Sequence, residues 1–269
     1  FGMERELGSI TPGRRADFIV TSSLKELPIE NVFARGKYVA ENGKILTDCP
    51  HYDWPSTVRE TVKLGKKLEA DDFILKAPEE ASLVRAKVIG VIENQAPTKS
   101  LEFDLPAEEG MVQIKEGVSY LSLVERHRGT GSVTNGFVSG FGYTGSMAIA
   151  SSVAHDSHHM IVVGTDREMM AAAANRLGEV GGGVTVWKDG SEVALVELPI
   201  AGLMSDSPAS IVAAKAQEVV SAMADCGCSL NNAYMQHTLL ALVVIPELRI
   251  SDLGLIDVNL FELTEVILS

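Results

Sequence analysis

The chain has 269 residues, 46% of them hydrophobic and 22% charged, the composition of a globular protein long enough for two ordinary cores. Thirty-six acids against 23 bases give a formal charge of −13 and a pI near 4.9. A nucleic-acid duplex or an anionic membrane surface would therefore be repelled, and the one basic cluster, Lys63 with Lys66 and Lys67, is too small to reverse this.

In chain order, Leu7-Gly8-Ser9-Ile10 reads as a short strand, Pro12-Gly13 as a turn, and Phe18-Ile19-Val20 as a buried strand. Arg35-Gly36 and Asn42-Gly43 mark two tight hairpins, which makes this region a small all-β unit. Residues 50–82 carry Pro50, Pro55 and Pro78 and read as an ordered connector with one short helix. A new unit begins near Leu83, with strands expected at 86–92, 100–105 and 118–126, the last partly alternating apolar and polar. Residues 129–145 hold six glycines but lack the GxxxxGK[ST] order, so strand and turn are expected there, not a phosphate loop. Residues 160–164 read as a central strand. Thr165 or Asp166 should cap a helix whose Met169, Met170, Ala173, Leu177 and Val180 share a face, ended by Gly181-Gly182-Gly183. Lys188-Asp189-Gly190-Ser191 predicts a hairpin. Ser207 is expected to cap a further helix with Pro208 at its first position and Ile211, Val212, Lys215, Val219, Val220 and Met223 inward.

The longest apolar run, residues 238–245, is closed by Pro246 and Glu247 far short of a membrane span. Cys49, Cys226 and Cys228 form neither an even framework nor a metal-type CxxC, which points to reduced thiols in a cytoplasmic protein. Phe1-Gly2-Met3-Glu4-Arg5 has neither an initiator methionine nor a leader pattern, as expected of a segment from within a longer polypeptide.

Potential chemistry concentrates in Ser151-Ser152-Val153-Ala154-His155-Asp156-Ser157-His158-His159, which holds three of the chain's six histidines. Its apolar flanks place it in a strand-to-strand connection or at a strand end. His155, Asp156, Ser157 and His158 are the candidate site residues; the alternative is a hydrogen-bonded turn with surface histidines. An ion site from His155, Asp156 and His158 would need distant ligands. Ser157 lacks the G-x-S-x-G elbow of a nucleophile. Arg126 and His127, and Ser205 with Asp206, are weaker candidates for a pocket lip. The plain reading of the first pair is a surface ion pair, and of the second a helix start. His51 and His237 read as incidental.

Two resemblances add to this. Leu7-Gly8-Ser9-Ile10, Pro12-Gly13, Ala16-Asp17-Phe18-Ile19-Val20 and Val39 after Gly36-Lys37 resemble the closing strands of the small β-sandwich beside the metal-dependent barrel of the amidohydrolase superfamily. Gly136-Phe137-Val138-Ser139-Gly140-Phe141-Gly142, the 149–158 and 161–165 runs, Pro199-Ile200-Ala201-Gly202-Leu203-Met204-Ser205-Asp206, Ile245-Pro246-Glu247-Leu248 and Gly254-Leu255-Ile256-Asp257-Val258 resemble the C-terminal domain of bacterial and archaeal adenine deaminases. That family has Asn where this chain has His159.

The resemblance implies an α+β chain: closing strands of a composite sandwich at 1–50, a connector at 51–82, and at 83–269 a mixed-sheet domain with at least two packed helices. It implies hydrolysis of adenine to hypoxanthine and ammonia, with manganese or iron held by a (β/α)₈ barrel that the chain lacks. No metal is then expected on this chain, whose histidine spacings include no HxH. Expected partners are adenine, the missing barrel and further copies in a homo-oligomer. The alternative is a non-catalytic domain for assembly or barrel support.

Overall fold

The computed structural model describes residues 1–48 and 50–268; Cys49, one of the expected thiols, lies outside them. The chain divides into two compact units, Phe1–Asp53 and Trp54–Ser269.

The first unit is one antiparallel sheet of β1 (Phe18–Thr21), β2 (Ile29–Ala34), β3 (Lys37–Glu41) and β4 (Lys44–Ile45), in that order. Both predicted hairpins form. Arg35 and Gly36 take φ of 50° and 75°, and Asn42 and Gly43 take 44° and 77°, the paired positive angles that two-residue turns require. Two expectations fail. Residues 7–9 form bends and no strand forms over 7–10, because Arg14 donates to the Leu7 carbonyl and Arg15 N to that of Glu6. β1 is only partly buried, with Ile19 49% and Val20 39% exposed, since a unit this small encloses little core.

The second unit opens with the short helix α1 (Ser56–Arg59) and a 3-10 turn at Ala70–Phe73. Leu68 and Phe73 of this segment are almost fully buried, so it packs as part of the domain. The main sheet follows: β5 (Leu83–Val91), β6 (Thr98–Glu108), β7 (Met111–Val112), β8 (Val118–Val124), β9 (Val133–Ser139), β10 (Met147–Ser151) and β11 (Met160–Gly164). Next come α2 (Arg167–Val180), β12 (Gly183–Lys188), β13 (Ser191–Glu197), α3 (Ala209–Asp225) and α4 (Ala233–Leu239). The described chain closes with β14 (Leu248–Ser251), β15 (Gly254–Asp257), β16 (Glu262–Thr264) and β17 (Ile267–Leu268). Sheet order is β13-β12-β10-β11-β8-β9-β5-β6-β7, with β17 also on β5; β14, β15 and β16 form a separate small sheet. Every pairing is antiparallel except β5 with β9. The chain is α+β.

Alternation along the central strands separates two cores. Ala148, Ala150, Met160 and Val162 face α2, while Ile149, Ile161 and Val163 face the layer containing Val219 and Met223 of α3 and Ile250 of β14. Covering both faces leaves β8 wholly buried, so the expected polar face is absent: Ser119 and Ser122 lie inside, Ser122 donating to Asn135 Oδ1 at 2.6 Å.

α2 starts and stops where the sequence indicates. Asp166 accepts from Glu168 N at 2.8 Å and Met169 N at 3.2 Å, and Gly181 ends the helix at φ 80°. α3 differs: the capping position falls one residue later than expected, on Pro208, whose side chain has no acceptor, so no side chain caps the helix. Its buried face is narrower than expected, with Ile211 48% and Val220 51% exposed. No helix of the described residues is long and apolar enough to cross a membrane. Cys226 and Cys228 are free, buried thiols.

Candidate functional site

The histidine-rich run connects antiparallel β10 and β11, and nearly every polar group at its base is used. Ser152, fully buried, donates to Gly202 O at 2.6 Å and accepts from Gly183 N at 2.7 Å, tying the connection to the 199–204 segment. Next, His158 N donates to Ala154 O at 2.7 Å while Ala154 N donates to His158 Nδ1 at 3.2 Å, which closes a tight turn. His155 N donates to Thr238 O at 3.0 Å and anchors the turn on α4.

Arg126, at the end of β8, is the staple. It is 1% exposed, its Nε donates to His158 O at 2.6 Å, and its Nη2 donates to Ala201 O at 3.2 Å. Gly202 makes room for it, since a Cβ there would stand 2.8 Å from Nη1. Burial lowers the guanidinium to about 10 against an upward pull from Glu125, so it stays charged at neutral pH. The expected surface ion pair is thus replaced by a buried cation holding two loops through their carbonyls. His127 reinforces it, Nε2 lying 2.9 Å from Ser157 O.

Glu125, which sequence reasoning missed, anchors the other side. Burial pushes its carboxyl up, but the N–H groups of Thr130, Arg128 and His127 and the Thr130 hydroxyl outweigh that and hold it at about 2. His159 is buried between two acids, Nδ1 4.0 Å from Glu125 Oε1 and Nε2 3.6 Å from Asp252 Oδ2, with its ring 4.7 Å from that of His127. Burial lowers its pKa, with Asp252 and Glu125 pulling up and His127 and Arg126 down. For His158 burial again leads downward, joined by His155, Arg126 and His127, against Asp156.

The structure therefore gathers His155, Asp156, Ser157, His158, Arg126 and His127 in one place. Asp156 and Ser157 are exposed on the turn, and the rings of His155 and His158 stand 5.2 Å apart, edge to face. Ser205 and Asp206 follow the segment that Arg126 grips, but Asp206 pairs with Arg59. His51 pairs with Asp53 in the first unit, and His237 is buried in α4. The sequence signal for Glu125 was an acid followed by a glycine-rich turn rich in free N–H groups; Asp252 and Thr238 gave none.

An exposed acid and hydroxyl beside two imidazoles, on a turn locked from beneath, can offer donors and acceptors to a small polar molecule. Among the described residues no three His, Cys, Asp or Glu side chains are placed to hold a metal ion. The donor set of the described residues does not fit a metal centre.

Fold and site together define a layered α+β domain that presents a braced, histidine-rich turn. Residues 95–262 match the family described as Adenine deaminase C-terminal domain, and the chain belongs to that family. It is 72% identical over 265 residues to an adenine deaminase of Ruegeria pomeroyi, covering 97% of this chain and 44% of the relative. Similar matches are to adenine deaminases of Roseobacter denitrificans, 69% identical over 99% of this chain and 44% of the relative, and of Moorella thermoacetica, 40% identical over 99% and 45%. The chain spans less than half the length of these relatives.

Proposed function

We propose that the chain forms the C-terminal part of an adenine deaminase, an enzyme that hydrolyses adenine to hypoxanthine and ammonia in cytoplasmic purine salvage or catabolism. In this reading residues 1–50 close a composite β-sandwich, 51–82 connect, and 83–269 form a domain whose 155–158 turn lies at the mouth of a barrel. That barrel, outside this chain, would hold the manganese or iron, and the whole would assemble as a homo-oligomer.

The observation that carries the reading is identity of 69–72% to adenine deaminases along nearly the whole chain. The turn supports the placement: Arg126, His127, Ser152 and Thr238 hold its backbone, leaving the Asp156 and Ser157 side chains exposed. Asp156 can accept from the amino and ring N–H groups of a purine, and Ser157 can match a ring nitrogen.

The test is adenine turnover and subunit assembly of the complete enzyme carrying Asp156→Asn or Ser157→Ala. Turnover should fall at least tenfold with assembly unchanged. Wild-type turnover with impaired assembly would make the domain structural.

A further inference from the structure

From the hydrogen bonds of the 154–158 turn we infer that His158 acts as a fixed hydrogen-bond donor, its Nε2–H directed to a lone pair on the purine ring. The inference rests on the reading of the turn as part of the substrate pocket and gives one side chain in it a defined role.

Ala154 N can only donate, and it donates to His158 Nδ1 at 3.2 Å. A nitrogen accepting that bond must offer a lone pair, so neutral His158 carries its proton on Nε2. Three further contacts hold the ring. His158 N donates to Ala154 O at 2.7 Å, His158 O accepts Arg126 Nε at 2.6 Å, and the ring meets that of His155 edge to face at 5.2 Å. His158 takes φ 53°, a left-handed conformation this network must maintain. Doubly protonated imidazole could not accept from Ala154 N, and burial, followed by His155 and Arg126, opposes that state against the pull of Asp156.

A neutral imidazole fixed in this tautomer cannot take a proton at Nε2. It can donate one hydrogen bond from an aligned position, which suits recognition of a pyridine-type ring nitrogen. His127 shows the complementary case on the same loop. Its Nε2 faces Ser157 O, a pure acceptor, at 2.9 Å, so its proton is committed to the backbone and only Nδ1 is left to accept. Of these two imidazoles, His158 is the one that keeps a donor to present.

Two substitutions separate this role from the structural one. His158→Asn retains an acceptor near the Nδ1 position and removes the Nε2 donor; His158→Gln restores an N–H near Nε2. In the complete enzyme, His158→Asn should lower kcat/KM for adenine about 10- to 100-fold, the effect of one unsatisfied hydrogen bond, and His158→Gln should recover much of it. Binding of 1-, 3- and 7-deazaadenine should show one analogue indifferent to His158→Asn, because it lacks the nitrogen that His158 meets. Long-range ¹⁵N–¹H correlation of the labelled enzyme should place the His158 proton on Nε2. Wild-type kcat/KM in His158→Asn, equal weakening of all three analogues, or a proton on Nδ1 would overturn the inference. Loss of turnover in Asp156→Asn or Ser157→Ala with none in His158→Asn would defeat this inference alone. Full activity in all three variants would defeat the pocket reading beneath it.

Discussion

His237 offers the sharpest test of the packing. It is 0% exposed within α4, packs edge-on against Phe141 at 6.4 Å, and neither ring nitrogen makes a hydrogen bond of normal geometry. Burial depresses its pKa from 6.5 to about 3, and the nearby Ile161 backbone works weakly in the opposite direction. The folded state holds this side chain neutral, while the unfolded chain protonates it below about pH 6.5. The stability it permits is present above that value and declines as pH falls toward the folded pKa. Between pH 7.5 and 5 the decline amounts to ~2 kcal/mol, from about 1.5 units at 1.36 kcal/mol each. His237→Leu removes the titration and two unpaired buried nitrogens, so it should equal or exceed wild-type stability at pH 7.5 and lose about 2 kcal/mol less on acidification. Urea unfolding followed by fluorescence of Trp54 and Trp187, both in the second unit, measures this directly. This window lies above the ordinary carboxylate range, and His158 and His159, shifted the same way, remain in both proteins. Equal acid losses in wild type and His237→Leu would refute the buried, unpaired placement.

Glu125, held at about 2, contributes stability above the ordinary carboxylate pKa of 4.5 that is lost as pH falls through 2; Glu125→Gln should flatten that acid limb and cost about 2 kcal/mol at pH 7 by urea unfolding. Gly65→Ala should destabilise the second unit by about 2 kcal/mol or more, because Gly65 sits at φ 78° and a Cβ there collides with the Gly129 carbonyl; Gly117→Ala, with open space at a similar φ, is the control for backbone strain alone. Ser152→Ala orphans Gly183 N and the Gly202 carbonyl in a buried position and should cost roughly 2–4 kcal/mol.

Where local chemistry decides the structure, the sequence was readable. The Asp166 cap, the Gly181 stop, the Asp189-Gly190 turn and the wholly apolar β11 each depend on residues within a few positions of one another. The histidine-rich run could likewise be placed between two strands from its flanks. What stayed hidden depends on distant contacts. Arg126 reads as a surface cation because nothing near it in sequence shows that the 158 and 201 carbonyls will converge on it. His237 reads as incidental because α4 is short, and its burial comes from sheet residues far along the chain. β1 reads as buried from its apolar run, yet a sheet face is buried only when another layer covers it.

Whether the 154–159 turn meets adenine is tested most directly by photo-crosslinking. With a photoreactive azidoadenine on the complete enzyme, peptides mapped by mass spectrometry should carry the adduct within residues 154–159, and excess adenine should abolish it. Adenine-competable adducts found solely outside this turn and the Arg126-His127 and 201–206 segments beside it would contradict the account.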